Sequence, residues 1–381
     1  MAKARGKKKG GGGKKSIPEA VSEVFAGRLA RVRVEMAKKK LPAYLVTSRM
    51  DGYYLAGFTG EDSALVITPK KVYVVSDGRF DESIDHECPW AVKLLRKGSL
   101  EAEIAKLCKR LKLPKLAVQP EHMTLQTHQL LNKSLEATRL VKAPPLVGKL
   151  RLCKDAVDLK AIEEAIKIAQ DAFRATCRSI RVGQTEQQIA ARLEYEMHKR
   201  GSAGPSFPTI VAEGPNASLP HAVPGARKVK KGSAILIDWG AIHRFYCSDL
   251  TRAVFIGRIP PKIKRIYGIV LEAQRAAIAA IRPGARMCDV DAVARQHIAE
   301  AGFGDYFGHS LGHGLGLDVH EAPTLSWRSD EKMQAGMVVT VEPGIYLPGV
   351  GGVRVEDDVL VTPDGCRVLS SLSAELADAV L

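Results

Sequence analysis

Thirty residues of this chain recur 101 positions later. AFRATCRSIRVGQTEQQIAARLEYEMHKRG (172–201) overlays AQRAAIAAIRPGARMCDVDAVARQHIAEAG (273–302) without a gap. Identities fall at Ala172/Ala273, Arg174/Arg275, Ala175/Ala276, Ile180/Ile281, Arg181/Arg282, Gly183/Gly284, Ala191/Ala292 and Gly201/Gly302. Ile189/Val290 and Met197/Ile298 keep apolar character. Each copy reads as a helix, a glycine turn, a second helix and a glycine stop. Thr185 with Gln188 makes a capping box in the first copy. Strand-like segments follow both. A duplicated half-domain pairs about a pseudo-twofold axis, and the groove between the halves is the natural place for a site.

Upstream of the repeat the pattern changes. Residues 17–41 have the spacing of an amphipathic helix. AYLVTS (43–48) and SALVITPKKVYVVSDGRF (63–80) read as strands divided by turn signals. SLEAEIAKLCKRL (99–111) reads as a helix and KLAVQP (115–120) as a strand. This alternation predicts a self-contained α/β domain over 17–147. Pro144 and Pro145 mark a linker to a second domain over 148–381, which gives an α+β chain overall.

At 381 residues the chain is long for one domain. No apolar run approaches the ~18 residues of a membrane span, and the N-terminus has no apolar core of a secretory signal. The seven cysteines are scattered and form no CxxC pair, which argues for a reducing, cytoplasmic setting and against a thiolate zinc site. The net charge is +15, of which seven positive charges lie in MAKARGKKKGGGGKKS, leaving +8 for the rest. Residues 1–16 cannot build a core, so a disordered tail is expected. It is either a solvated arm or a weak, non-specific polyanion binder acting through counterion release.

The chemistry gathers after each copy of the repeat. In AILIDWGAIHRFYCSDLTRAVF, Asp238 closes an apolar strand and Asp249 lies on the next. In MVVTVEPGIYLPGVGGVRVEDDVLVT, Glu342 ends one strand and Glu356 sits in the next. An acid inside an apolar strand costs several kcal/mol unless something pairs with it. Taken singly, each has a plain explanation: Asp238 caps or pairs with an arginine, and Glu356 pairs with Arg354. Taken together, four such acids point to bound divalent cations. Four carboxylates are too many for one ion and suit two, as in metal-assisted hydrolysis. HSLGHGLGLDVHEAP (309–323) holds three of the chain's ten histidines. His313, between Gly312 and Gly314, has room for close backbone approach. His309 and His320 are candidates to point into the pocket, as is His221 in EGPNASLPHAVPG. Carboxylates with one imidazole favour Mn²⁺, Co²⁺ or Zn²⁺, with Mn²⁺ the first expectation.

At these residues the sequence resembles the pita-bread metallopeptidases, the family that holds methionine aminopeptidase, aminopeptidase P, prolidase and creatinase. GPNASLPHAVPG, LIDWGA, SDLTR, GHSLGHGLGLDVHEAP, GMVVTVEPGIY and GGVRVEDDVLVT carry the resemblance in order. Residues 43–80 further resemble the N-terminal domain of the prolidase, aminopeptidase P and creatinase branch. The resemblance implies a creatinase-type α/β domain before a catalytic domain, whose duplicated halves surround a curved antiparallel sheet. It implies two metal ions held by Asp238, Asp249, His313, Glu342 and Glu356, with Asp249 and Glu356 bridging. Glu342 would also take the proton from the attacking water and return it to the departing nitrogen. His221 and His320 would contact the scissile peptide, with His309, Arg354 and Tyr346 around them. Arg328 would meet the free carboxylate of a C-terminal proline, or else lie on the surface.

The implied activity is hydrolysis of Xaa-Pro bonds in proline-containing di- or oligopeptides, by a homodimer in the cytoplasm. The alternatives are a creatinase-like amidinohydrolase and a pita-bread scaffold whose tail binds nucleic acid.

Overall fold

A computed structural model describes residues 19–381; the basic stretch 1–16 lies outside the described residues. The chain divides into two compact units, one ending at Gly148 and one running from Lys149 to Leu381.

The first unit contains α1 (Glu19–Lys38), β1 (Tyr44–Val46), α2 (Arg49–Ala56), β2 (Ala64–Ile67), β3 (Val72–Ser76), α3 (Asp81–Glu87), β4 (Val92–Leu95), α4 (Leu100–Arg110), β5 (Lys115–Val118), α5 (Leu125–Ser134) and β6 (Arg139–Lys142). Its six strands form one sheet in the order β4-β3-β2-β1-β5-β6. The β1–β2 and β2–β3 pairs are antiparallel and the others parallel. Leu45, Val66, Val75, Leu107 and Leu116 pack its core. The helix read over 99–111 is α4, started by the Ser99 hydroxyl, which accepts from Ala102 N. Within the expected linker, α6 (Leu146–Arg151) forms; Pro144 and Pro145 precede its first residue and so do not interrupt it.

The second unit contains α7 (Ala156–Cys177), α8 (Glu186–Lys199), β7 (Ile210–Glu213), β8 (Ala234–Trp239), β9 (Ile242–His243), β10 (Tyr246–Cys247), β11 (Leu250–Phe255), α9 (Pro261–Ala280), α10 (Met287–Glu300), β12 (Gly312–Gly314), β13 (Glu321–Leu325), β14 (Val338–Val341), β15 (Gly344–Leu347), β16 (Gly351–Arg354), β17 (Asp357–Thr362) and β18 (Gly365–Val368). The repeat is visible as two helix pairs, α7–α8 and α9–α10. Gly183 and Gly284 take φ of +93° and +84° at the turns, and Gly201 and Gly302 take +93° and +86° at the stops; a side chain would be strained at all four. The predicted capping box forms: the Thr185 hydroxyl accepts from Gln188 N, and the Gln188 side chain accepts from Thr185 N.

The duplication runs well past the thirty residues that match in sequence. Gly183 N donates to Val229 O and Gly284 N to Met333 O, both at 2.9 Å. Glu186 N donates to Arg227 O as Met287 N does to Glu331 O. Each half then supplies a sheet, β11-β8-β7 and β13-β12-β14-β17-β18, all antiparallel. Each sheet covers its own helices. Trp239 of β8 stacks on Phe173 of α7 with centroids 4.3 Å apart, and Val339 and Val359 pack with Val270 and Ala294. The sheets meet where Thr251 pairs with Glu356 in an isolated antiparallel bridge.

Candidate metal centre

The four acids collect around that seam. Asp238 lies within β8, opposite Thr251 of β11. Asp249 and Glu356 were expected inside strands and Glu342 at the end of one; all three instead sit one residue beyond strand ends, Asp249 before β11, Glu342 after β14 and Glu356 before β17. This correction has a geometric reason. Strand ends are where the ladders diverge, and only there can several carboxylates turn toward one space.

The hairpins β9–β10 and β15–β16 fill the gaps between the acids of each half. His313 is placed by its glycines. A Cβ on Gly312 would come within 2.0 Å of Thr340 O, and one on Gly314 within 2.3 Å of Ala322 O. Only glycine therefore lets β13 and β14 close on β12 from both sides.

His313 Nδ1 lies 3.1 Å from Gly314 O. A carbonyl only accepts, so Nδ1 carries the proton and Nε2 presents a lone pair. That lone pair faces Glu342 Oε1 at 3.5 Å and Asp249 Oδ2 at 3.6 Å. One donor atom each from Asp238, Asp249 and Glu356 fall within 4.8 Å of one another, as do atoms from His313, Glu342 and Glu356. Asp249, His313 and His320 form a third such group. The Oδ1 atoms of Asp238 and Asp249 are buried and accept no hydrogen bond. Lone pairs converging without protons between them are what a cation satisfies.

The acids are costly to charge without compensation. Burial pushes Asp238 up against the pull of Arg354. Burial and then Glu356 push Asp249 up, and burial and then Glu342 push Glu356 up. Glu342 rises to about 8, through burial first and Asp238 in addition, with Arg354 opposing. Burial lowers His309 and His313 to about 4, aided by Arg354 and His320 respectively, so both imidazoles are neutral at pH 7.

A hydrogen-bonded chain runs along one wall. Arg354 Nη2 donates to Asp238 Oδ2 at 2.5 Å, Nη1 to Tyr346 OH at 2.7 Å and Nε to Thr251 Oγ1 at 3.0 Å. His309 Nδ1 faces Ser310 O at 2.8 Å, which leaves Nε2 to accept from the Tyr346 hydroxyl at 2.9 Å. The arginine weighed as a partner for Asp238 is thus Arg354, weighed from sequence as a partner for Glu356.

The cavity over these groups measures roughly 570 Å³. All five acid and histidine donors line it, with His221, His309, His320 and Arg354. Phe207, Pro208, Ala222, Val223 and Pro224 form its apolar side. His221 is on an exposed segment, and His320 is exposed with its ring edge-to-face on His313, centroids 4.2 Å apart. Tyr346 reaches the wall through its hydroxyl.

Arg328 is not brought to the cavity: it is exposed, with its guanidinium 5.3 Å from the Trp327 ring centroid. Sequence reading missed Thr251, whose hydroxyl donates to Glu356 Oε2 at 2.6 Å, and Thr340, whose hydroxyl accepts from His313 N at 3.1 Å. Each lies two residues from an acid, and the period-2 alternation of strands was the available signal.

Residues 160–363 match metallopeptidase family M24, and residues 28–153 match the creatinase/prolidase N-terminal domain. A peptidase of Bacillus subtilis named YqhT is 38% identical over 349 residues, covering 92% of this chain and 99% of that one. A solved structure of an Xaa-Pro dipeptidase from Bacillus anthracis superposes with a TM-score of 0.90 at 37% identity, covering 94% of this chain and all of that one (100%). An X-Pro aminopeptidase from Thermotoga maritima superposes at 0.85 with 36% identity, covering 91% and 100%.

Proposed function

Since the chain belongs to metallopeptidase family M24 and carries the creatinase/prolidase N-terminal domain before a pita-bread domain, we propose that the cavity hydrolyses Xaa-Pro peptide bonds with divalent metal ions as cofactor. The observation that carries the reading is the convergence of five buried or half-buried donors with lone pairs facing one another.

Asp238, Asp249 and Glu356 would hold one ion, and His313, Glu342 and Glu356 the other. The oxygen-rich donor set, with a single imidazole, suits Mn²⁺. Bound ions supply Lewis-acid polarisation of the scissile carbonyl and lower the pKa of the attacking water.

The protein's own groups do the rest. Glu342 takes a proton from that water and passes it to the proline nitrogen as the bond breaks. His320 and His221, at the mouth, contact the scissile peptide, and His320 donates to its carbonyl oxygen. Removing one such donor typically costs about 10²–10³ in rate. Arg354, bonded to Asp238, Tyr346 and Thr251 at once, fixes Asp238 and opposes the upward push that burial gives its carboxyl. The apolar side receives the pyrrolidine ring and excludes water.

The reading includes a homodimer in the cytoplasm. Among the described residues no helix is long and apolar enough to cross a membrane, and Cys88, Cys108, Cys177, Cys247, Cys288 and Cys366 are in no disulfide. Residues 17–147 serve as the N-terminal domain and 148–381 as the catalytic one.

The test is hydrolysis of an Xaa-Pro dipeptide and of Xaa-Pro-Yaa-Yaa by chelated and Mn²⁺-reloaded protein, beside Glu342→Gln. Turnover is expected only with metal, and is expected to fall about 10²–10⁴-fold in the variant. Metal-independent turnover, or full activity of the variant, overturns the reading. The relative rates on the two substrates assign dipeptidase or aminopeptidase.

A further inference from the structure

The side chain of His320 does little to fix its own place in the cavity. Among the described residues its ring has no hydrogen-bond partner and only the edge-to-face contact with His313. Its place must therefore come from its backbone neighbours, and these are tied down on both sides. Two residues before it, Asp318 Oδ2 accepts from Arg151 Nη2 at 2.6 Å. One residue after it, Glu321 Oε2 accepts from the same nitrogen at 2.5 Å, and Glu321 Oε1 accepts from Lys154 Nζ at 2.9 Å.

The side chains of Lys154, Arg151 and Glu321 are 2%, 8% and 10% exposed, whereas Asp318 is 46% exposed. Lys154 is anchored in turn by its backbone N–H, which donates to Gly336 O at 2.7 Å, on the turn that leads into β14 and Glu342. The Glu321 carboxylate packs directly over Gly316, where a Cβ would lie 2.6 Å from Glu321 Oε1.

Buried ion pairs of this kind are poor sources of net stability, since apolar replacements often match them. Their directional bonds do fix geometry. Resting on the peptidase reading above, we propose that Arg151, the last residue of α6, and Lys154, just before α7, clamp Asp318 and Glu321 and thereby hold His320 against the scissile carbonyl. They are positioning residues, and none of them lines the cavity.

The test uses full-length protein carrying Arg151→Met or Asp318→Asn. The latter is at a half-exposed position and leaves the buried pairs with Glu321 in place. Arg151→Met is expected to lower kcat about 10–100-fold, as lost supporting shells and ångström-scale misplacement do. KM should change less than about threefold, and metal content should match wild type. Asp318→Asn should move kcat the same way by less. In a His320→Ala background, Arg151→Met should cost nothing further, because the group it positions is gone. An equal fold-loss in both backgrounds overturns the clamp.

A readout independent of turnover is the NMR ring signal of His320, assigned by its disappearance in His320→Ala. It should shift and broaden in both clamp variants. A signal unmoved in Asp318→Asn overturns the clamp whatever becomes of Arg151→Met. An inactive wild type would instead sink the peptidase reading, with the ring signal still deciding the clamp.

Discussion

The two halves of the second unit began as copies and now differ at the positions that matter. The bond pairing Val229 with Gly183 recurs between Met333 and Gly284, so beyond the helices the offset between the halves has grown to 104. That offset carries Asp238 onto Glu342. The same register sets Ala212 opposite Leu236 in the first half and His313 beside Thr340 in the second. Where the first half has alanine the second has the imidazole donor, and the aspartate's counterpart is one methylene longer. The intervening hairpin has also diverged. β9–β10 is two residues a side, while β15–β16 is four a side and carries Arg354 across to Asp238, with Tyr346 bonded to Arg354. Duplication supplied matched strand ends with acids, and divergence of the second half made the centre lopsided. A lopsided centre can assign one acid to structure and another to proton transfer.

Restoring symmetry should therefore be damaging. Glu342→Asp makes the halves alike at this position and retracts the carboxylate by about 1 Å. We expect kcat on an Xaa-Pro dipeptide to fall on the order of 10²-fold. Wild-type turnover by that variant would show the length difference to be incidental.

The acids also set a pH signature. Glu342, at about 8 in the fold without metal, stands above its unfolded value. The native state therefore holds the extra proton, and stability falls as pH rises toward 8. His309 and His313, lowered to about 4, act oppositely, but only below about 6.5. Chelated protein should thus lose about 2 kcal/mol between pH 6.5 and 8 in urea melts, and Mn²⁺ should flatten the slope. A flat profile without metal would mean that the acids are compensated by the protein alone.

The smallest difference is in the helix starts. Thr185 caps α8 through its side chain, whereas its counterpart Arg286 makes no capping bond at α10 and pairs with Asp289 in solvent. By thermal melting Thr185→Ala should cost about 1 kcal/mol, and Arg286→Ala, whose ion pair is screened by solvent, clearly less. Equal costs would put the helix-start stability elsewhere, for instance in the backbone bonds that Glu186 and Met287 share with the opposing loops.

Legibility followed range. The helix pairs, the glycine turns, the Thr185 box and the strands of the first unit are local patterns of period and cap, and sequence carries those directly. The four acids were legible as residue types that an apolar strand tolerates only with a partner, and His313 by the glycines on either side of it. Their positions were less so: three acids fell just outside their strands, because where a ladder frays depends on the neighbouring strand. Thr251 and Thr340 looked like ordinary strand residues until the partner strand showed what their hydroxyls meet. The carboxylate-binding role of Arg328 came only from the resemblance, and the fold turns the residue outward onto Trp327, as its surface alternative has it.

By itself the sequence determined that this chain is duplicated, that each copy ends in acids too expensive to leave unpaired, and that a glycine-flanked histidine stands among them. Tertiary structure alone decided that Arg354 crosses to Asp238, that Ala212 is the counterpart of His313, and that Arg151 and Lys154 reach the loop of His320 from more than 160 residues away. The physical reason is that hydrogen bonds and ion pairs are fixed by distance in space, and the chain records only distance along itself.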